Sequence, residues 1–353
     1  MRVERRTRPA RLLSVGAPVA AVVATLIFSS LLVAMAGAPI GEAYSHLLNS
    51  AFGSRFAWSE TLTRATPLML TGLAIAIAFR ARLYNIGAEG QLYAGALAAV
   101  AIGGMQAGAP PALPIPVLFG LMLAGSALAG ALLLLGPALL KSRFGVDEVV
   151  TTLLLNFIVL LFVSMMLDGP MKDPMAMGWP QSAALHPELE LNRLIPRTRL
   201  HTGLLIAAGL ALAIWIVLRV TRWGFEIRAV GLNPKAAAFA GMPVNRVMVL
   251  VALSSGALAG LAGAIEVAGR TSYVTLDMSP GYGYAGIVIA MLANLNPIAV
   301  VIAAIFVAGM QVGADGMSRA VGVPNSIADV IVAAALLFML VAAMFSQYRL
   351  RRG

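Results

Sequence analysis

The chain has 353 residues, of which 60% are apolar and 11% charged, where a soluble domain carries about 45–50% and about 25%. A soluble core cannot bury that much apolar side chain, and with a mean hydropathy of +0.88 the composition specifies an integral membrane protein. The absence of cysteine excludes disulfide scaffolds, thiolate metal sites and thiol nucleophiles, and three histidines leave little for a metal cluster. A net charge of +10 invites nucleic acid as a partner, but in a membrane chain basic residues first serve topology, and no nucleic acid is expected.

In chain order, apolar runs long enough to cross about 30 Å of hydrocarbon lie at 12–36, 61–79, 86–104, 114–140 and 149–167. The second half adds 202–218, 247–268, a short piece at 282–295, 298–314 and 325–345. Helices are expected because lipid offers backbone groups no partner outside their own chain, and the runs are too long and too evenly apolar for barrel strands. The expected fold is an all-α polytopic membrane protein of about ten transmembrane segments, one short or discontinuous. It forms a single domain over residues 1–353.

With the N-terminus inside, the tail 1–11, the connections 80–85, 141–148 and 219–246, and the end 346–353 hold 17 of the 25 basic residues. The positive-inside rule therefore places both termini in the cytoplasm. The basic start and Ala34-Met35-Ala36 have the look of a signal peptide, but the apolar run between them is too long for one, and the segment is expected to be retained. An external loop is expected at 168–201, rich in Pro and polar enough for water. The main cytoplasmic loop is 219–246. No Gly-rich P-loop ending in Gly-Lys-Ser/Thr occurs, so ATP is not expected to be bound and hydrolysed by that chemistry, and no catalytic residue or enzyme activity is assigned.

Within the cytoplasmic loop, Asn233 before Pro234 is a helix cap followed by proline at the first helical position, and Gly241-Met242-Pro243 is a stop. The product is an isolated two-turn helix whose alanines fit a groove, with Arg228 and Lys235 placed to meet acidic groups. A plain interfacial helix has the same propensities. The stretch Gly231-Leu232-Asn233-Pro234-Lys235-Ala236-Ala237-Ala238-Phe239-Ala240-Gly241 resembles the coupling-helix signature of ABC importer permeases of the ribose and branched-chain amino acid type. A second stretch, Phe79-Arg80-Ala81-Arg82-Leu83-Tyr84-Asn85-Ile86-Gly87-Ala88-Glu89-Gly90-Gln91, is similar to one found in nucleoside permeases that work with basic-membrane-lipoprotein binding proteins. The departures are Arg82 for glycine, Leu232 for an acidic residue and Met242 for isoleucine.

The resemblance implies a permease subunit of an ATP-driven importer working by alternating access in a bacterial cytoplasmic membrane. Its partners would be an ABC ATPase subunit, a second homologous permease, an extracytoplasmic substrate-binding lipoprotein and membrane lipid. Nucleosides are the expected small-molecule substrate, with simple sugars or branched-chain amino acids as alternatives. ATP and magnesium would sit on the ATPase, with no cofactor on this chain. Gly231, Asn233, Pro234, Lys235, Ala236, Ala237 and Gly241 would carry the coupling contact. An ion-coupled secondary transporter is the rival, but it needs an acid near mid-membrane, where the expected spans offer none.

Candidates for the solute path are Asn85, Glu89, Gln91, Asn156, Tyr282, Tyr284 and Asn294. Asn85, Glu89 and Gln91 present amide and carboxylate groups to a polar solute. In the alternative, Asn85 caps the helix, and Glu89 complements its positive end and pairs with Arg80 or Arg82 near water. Short, Gly/Pro-interrupted pieces such as 282–295 point to a solute path. Tyr282 and Tyr284 either stack on a base or sugar or belong to the interfacial belt. Small residues at Ser255, Gly256, Ala259, Gly260 and Gly263, and at Gly125, Ser126, Ala129 and Gly130, make helix-packing faces. Glu266, Asp315 and Asp329 are expected near outer span ends, solvated or salt-bridged. No metal site is expected.

Overall fold

The computed structural model describes residues 2–5, 11–104, 111 and 113–351. Of the expected tail 1–11, residues 1 and 6–10 lie outside the described residues. A short strand β1 (Arg2–Arg5) is followed by the helices α1 (Arg11–Met35), α2 (Ile40–Phe52), α3 (Arg55–Arg80) and α4 (Ala88–Gly103). Next come α5 (Ile115–Phe144), α6 (Glu148–Asp168), α7 (Gly203–Val220), α8 (Arg222–Leu232) and α9 (Pro234–Phe239). The remainder is α10 (Val244–Glu266), continued by a π turn over Val267–Thr271, then α11 (Tyr282–Leu292), α12 (Pro297–Val321), α13 (Asn325–Gln347) and strand β2 (Tyr348–Arg351). Helix ends carry their chemical signals: Asp147 Oδ1 accepts the Val149 N–H at 2.8 Å at the start of α6, and Gly145 takes left-handed backbone (φ 68°) at the end of α5.

Six helices among the described residues are long and apolar enough to cross a bilayer: α3, α5, α6, α7, α10 with its π turn, and α12. Val23–Met35 of α1 and Ile40–Phe52 are bent by 118° and count as a seventh if taken as one broken span. Two of the expected segments are too short to cross alone, because 16 residues in α4 and 11 in α11 rise about 24 and 16 Å at 1.5 Å each. The piece at 282–295 was expected to be short, whereas apolar composition marked 86–104 as a full span because it measures burial in protein as well as in lipid. Helix α2 went unrecognised because Glu42, His46 and Asn49 interrupt its apolar residues. The structure also pairs the chain ends, β1 antiparallel to β2 with Arg2 opposite Arg351, where the sequence indicated only helices.

The chain divides into two compact units, Met1–Thr61 with Ile305–Gly353, and Leu62–Ala304. In the first, α1 packs along α13 over a core that includes Val33, Leu47, Met317 and Ile331. In the second, α4 is enclosed by α5, α6 and α10. Small residues set the α5–α10 approach. A Cβ on Gly256 would overlap the Gly130 carbonyl, and one on Gly260 the Ser126 carbonyl. The two small-residue faces expected from spacing therefore meet each other.

Candidate functional site

The loop 219–246 folds as two helices of the second unit. Thr221 Oγ1 accepts the Gly224 N–H at 3.2 Å to start α8. Asn233 Oδ1 accepts the N–H groups of Lys235 and Ala236, each at 3.1 Å, to start α9. Gly241 (φ 81°) ends it. Gly231 lies so close to the end of α3 that a Cβ there would overlap the Arg80 carbonyl. Ala236 is exposed, whereas Ala237 is only 4% exposed and packs inward. The outward face is instead carried by Phe239, 98% exposed, and Leu232, 76% exposed. The expectation that Ala237 belongs to an outer groove-fitting surface is therefore corrected, since an α-helix of six residues has room for one inward position per turn. Behind Pro234 lies a cavity of about 490 Å³ lined in part by Arg82, Tyr84, Lys141, Asn245 and Met248.

At the entrance of α4, the amides of Asn85 and Gln91 pair face to face. Asn85 Nδ2 donates to Gln91 Oε1 and Gln91 Nε2 to Asn85 Oδ1, each at 2.9 Å. Asn85 Nδ2 also donates to Ser255 Oγ at 3.1 Å, and its Oδ1 accepts the Gly87 N–H at 2.9 Å. Asn156 on α6 accepts the Gly90 N–H at 2.8 Å and donates to the Ile86 carbonyl at 2.9 Å and to the Tyr284 hydroxyl at 3.1 Å. Asn85, Glu89 and Gln91 are all at most 4% exposed. They do not lie in the aqueous mouth expected for them, because the neighbouring helices enclose the first turn of α4.

Glu89 does not pair with Arg80 or Arg82. Its Oε2 accepts the Gly283 N–H at 2.6 Å, which places the carboxylate at the N-terminus of α11. Arg80 donates instead to the Leu295 carbonyl at 2.7 Å, and Lys141 donates to the Arg82 carbonyl at 2.6 Å while pairing with Glu148. Tyr282 is wholly buried, its hydroxyl accepting from Arg270 at 3.0 Å, so it is no interfacial-belt residue. Tyr284 is 38% exposed. Asn294 is exposed at the turn that closes α11, on left-handed backbone (φ 49°). Glu266 is ion-paired with Arg270 across the π turn as one of its two expected roles, but it is fully buried and not solvated. Among the described residues, three carboxylates of the second unit are thus buried: Glu89, Glu148 and Glu266.

The segment between α6 and α7 is irregular, with isolated bridges Lys172 to Ser182 and Arg193 to His201 and a 3₁₀ turn at Pro187–Leu189. His201 is fully buried against Gly203 and Gly269, and its Nδ1 accepts the Gly203 N–H at 3.2 Å. Burial pushes its pKa down to about 4. Ser255, Arg270 and Phe239 were passed over as site residues in the sequence. Only Phe239, a large apolar residue in the polar stretch 219–246, carried a signal that could have singled it out.

The arrangement has the parts of a transport subunit: membrane-crossing helices, buried polar groups fixing a short helix, and an exposed capped helix on one end. Residues 57–340 match the family model described as branched-chain amino acid transport system, permease component. The chain is 36% identical to a glucose ABC transporter permease protein of Haloferax volcanii, over 99% of this chain and 94% of that one. It is 36% identical to a guanosine ABC transporter permease protein of Bacillus subtilis, covering 91% and 92%. A nucleoside ABC transporter permease protein of Lactococcus lactis is 32% identical, covering 84% and 83%. This chain belongs to the family of ABC transporter permease components of the branched-chain amino acid transport type.

Proposed function

We propose that this subunit imports nucleosides through a bacterial cytoplasmic membrane, with ATP and magnesium held by a separate ATPase. The observation that carries the substrate is the identity of 36% and 32% to permeases named for guanosine and nucleosides, each over more than four fifths of this chain. In this reading α9 is the contact to the ATPase, supported by its Asn233 cap and by Phe239, which is 98% exposed among the described residues. Tyr284, oriented by Asn156 and exposed, is the foremost of the seven path candidates, because an aromatic face with a fixed hydroxyl suits a ribosyl base. Asn85, Glu89, Gln91 and Tyr282 support it from within, and Asn294 flanks it at the far end of α11. A second homologous permease and a lipid-anchored binding protein complete the assembly. Both termini are cytoplasmic and 168–201 is external, which the pairing of β1 with β2 supports by holding the ends on one side.

Uptake into vesicles carrying the complete system tests the substrate. Labelled guanosine should enter with ATP, and unlabelled nucleosides should compete. A second reading, a sugar permease, is favoured by the glucose-named relative that aligns over 99% of the chain. Competition by glucose with none by nucleosides would establish that reading in place of the first.

A further inference from the structure

Three arginines from three elements converge on one cavity of about 240 Å³: Arg80 at the end of α3, Arg219 at the end of α7 and Arg228 on α8. Its remaining walls are Trp215, Leu218 and the start of α12 at Asn296 and Pro297, and no acidic residue among the described ones lines it. Each guanidinium is anchored. Arg80 donates to the Leu295 carbonyl at 2.7 Å, Arg228 donates to the Leu218 carbonyl, and Arg219 lies over the Trp215 ring at 5.1 Å. Arg80 and Arg228 are near enough to repel each other, and Arg80 Nε is buried with no partner among the described residues. Basic residues serving only orientation would spread into water, whereas these are gathered into a hollow with unspent donors.

We infer that this cavity binds the phosphate of an anionic phospholipid headgroup. Guanidinium forks match phosphate oxygens, and the positive N-terminus of α12 adds to them. At about 240 Å³ it is smaller than the roughly 300–1,000 Å³ clefts that enclose drug-sized solutes. Leu218 is buried at the cavity wall, while the half-buried Trp215 adjoins the exposed Leu212 and Ile216 of α7, a helix that the other described residues leave mostly uncovered, so a headgroup enters from the leaflet with its acyl chains along that helix. Basic hollows of this kind between membrane helices are suited to anionic headgroups.

The test is native mass spectrometry of the full chain in detergent, titrated with phosphatidylglycerol and, in parallel, phosphatidylcholine. Phosphatidylglycerol should be retained preferentially, and Arg219→Gln should lower its retention roughly fivefold through loss of one cation at the membrane surface. Arg219→Lys should fall between, since it keeps the charge and loses the fork. Arg219 is exposed, so an unchanged gel-filtration profile should accompany both variants. Arg246→Gln, at an exposed arginine outside the cavity, should change nothing. Equal retention of the two lipids, or an equal effect of Arg246→Gln, would overturn the site. Displacement of phosphatidylglycerol by millimolar inorganic phosphate would overturn the lipid as its source.

Discussion

A buried carboxylate persists only where donors meet its oxygens, and Glu89 is met by the Gly283 N–H in the first turn of α11. Glu89→Ala should leave the Gly283 N–H unpaired and lower stability by about 1–3 kcal/mol, read as a fall in the thermal unfolding midpoint in detergent. Glu89→Gln, which keeps an acceptor, should lose less, and equal midpoints for all three proteins would remove the cap from the account. His201 gives a pH effect of defined sign. Its pKa is about 4 in the fold against about 6.5 for a free histidine. Above pH 6.5 both states are neutral and nothing is lost. Between pH 6.5 and 4 the unfolded chain takes up a proton that the fold refuses, so stability falls with pH, by about 3 kcal/mol at most. Wild type should therefore lose more unfolding temperature between pH 7 and 4.5 than His201→Asn, whose amide oxygen can still accept from Gly203. The polar cluster at Asn85, Glu89 and Gln91 was legible in the sequence as a helix entrance. Its partners were not, because Ser255 and Gly283 lie far along the chain and only packing brings them to α4.

Among the elements, α9 was the most legible, since capping is a local affair: Asn233, Pro234 and Gly241 fix its ends within nine residues of chain. Which side faces out is a tertiary matter, and it moves the decisive substitution. Ala237→Glu would force a charge into the chain's own interior and disturb folding, so it does not isolate docking. Phe239→Ala removes a ring that is 98% exposed, so expression and unfolding temperature should stay at wild-type values while co-purification of the ATPase and substrate-stimulated hydrolysis fall at least tenfold, as for a buried aromatic anchor worth about 2 kcal/mol or more. Lys235→Ala should cost little, a rim charge contributing at most about 1 kcal/mol. Wild-type hydrolysis with Phe239→Ala would leave α9 a surface feature. The small-residue seams of α5 and α10 were also legible, because spacing of three and four shows directly in sequence. The shortness of α11 showed in the brief apolar piece at 282–295, whereas the length of α4 was not legible, since a helix buried in protein is as apolar as one buried in lipid.

For the whole molecule, the proposed orientation rests on charge rather than contacts. With the assigned topology, 17 of the 25 Lys and Arg side chains face the cytoplasm, and the reverse orientation would require carrying the densest basic segments, including 219–246, across the bilayer against the bias that sets insertion. The backbone adds an independent constraint, because β1 and β2 can pair only if both ends of the chain finish on one side. Absence of cysteine makes every introduced thiol a unique reporter. Lys235, exposed on α9, and Pro187, in the segment between α6 and α7, are assigned to opposite sides. In intact cells a membrane-impermeant maleimide should label Pro187→Cys and spare Lys235→Cys, and permeabilisation should make the second reactive. Labelling of Lys235→Cys from outside with none at Pro187→Cys would invert the whole arrangement. It would also place α9 and the arginine cavity on the face where no ATPase could reach the helix.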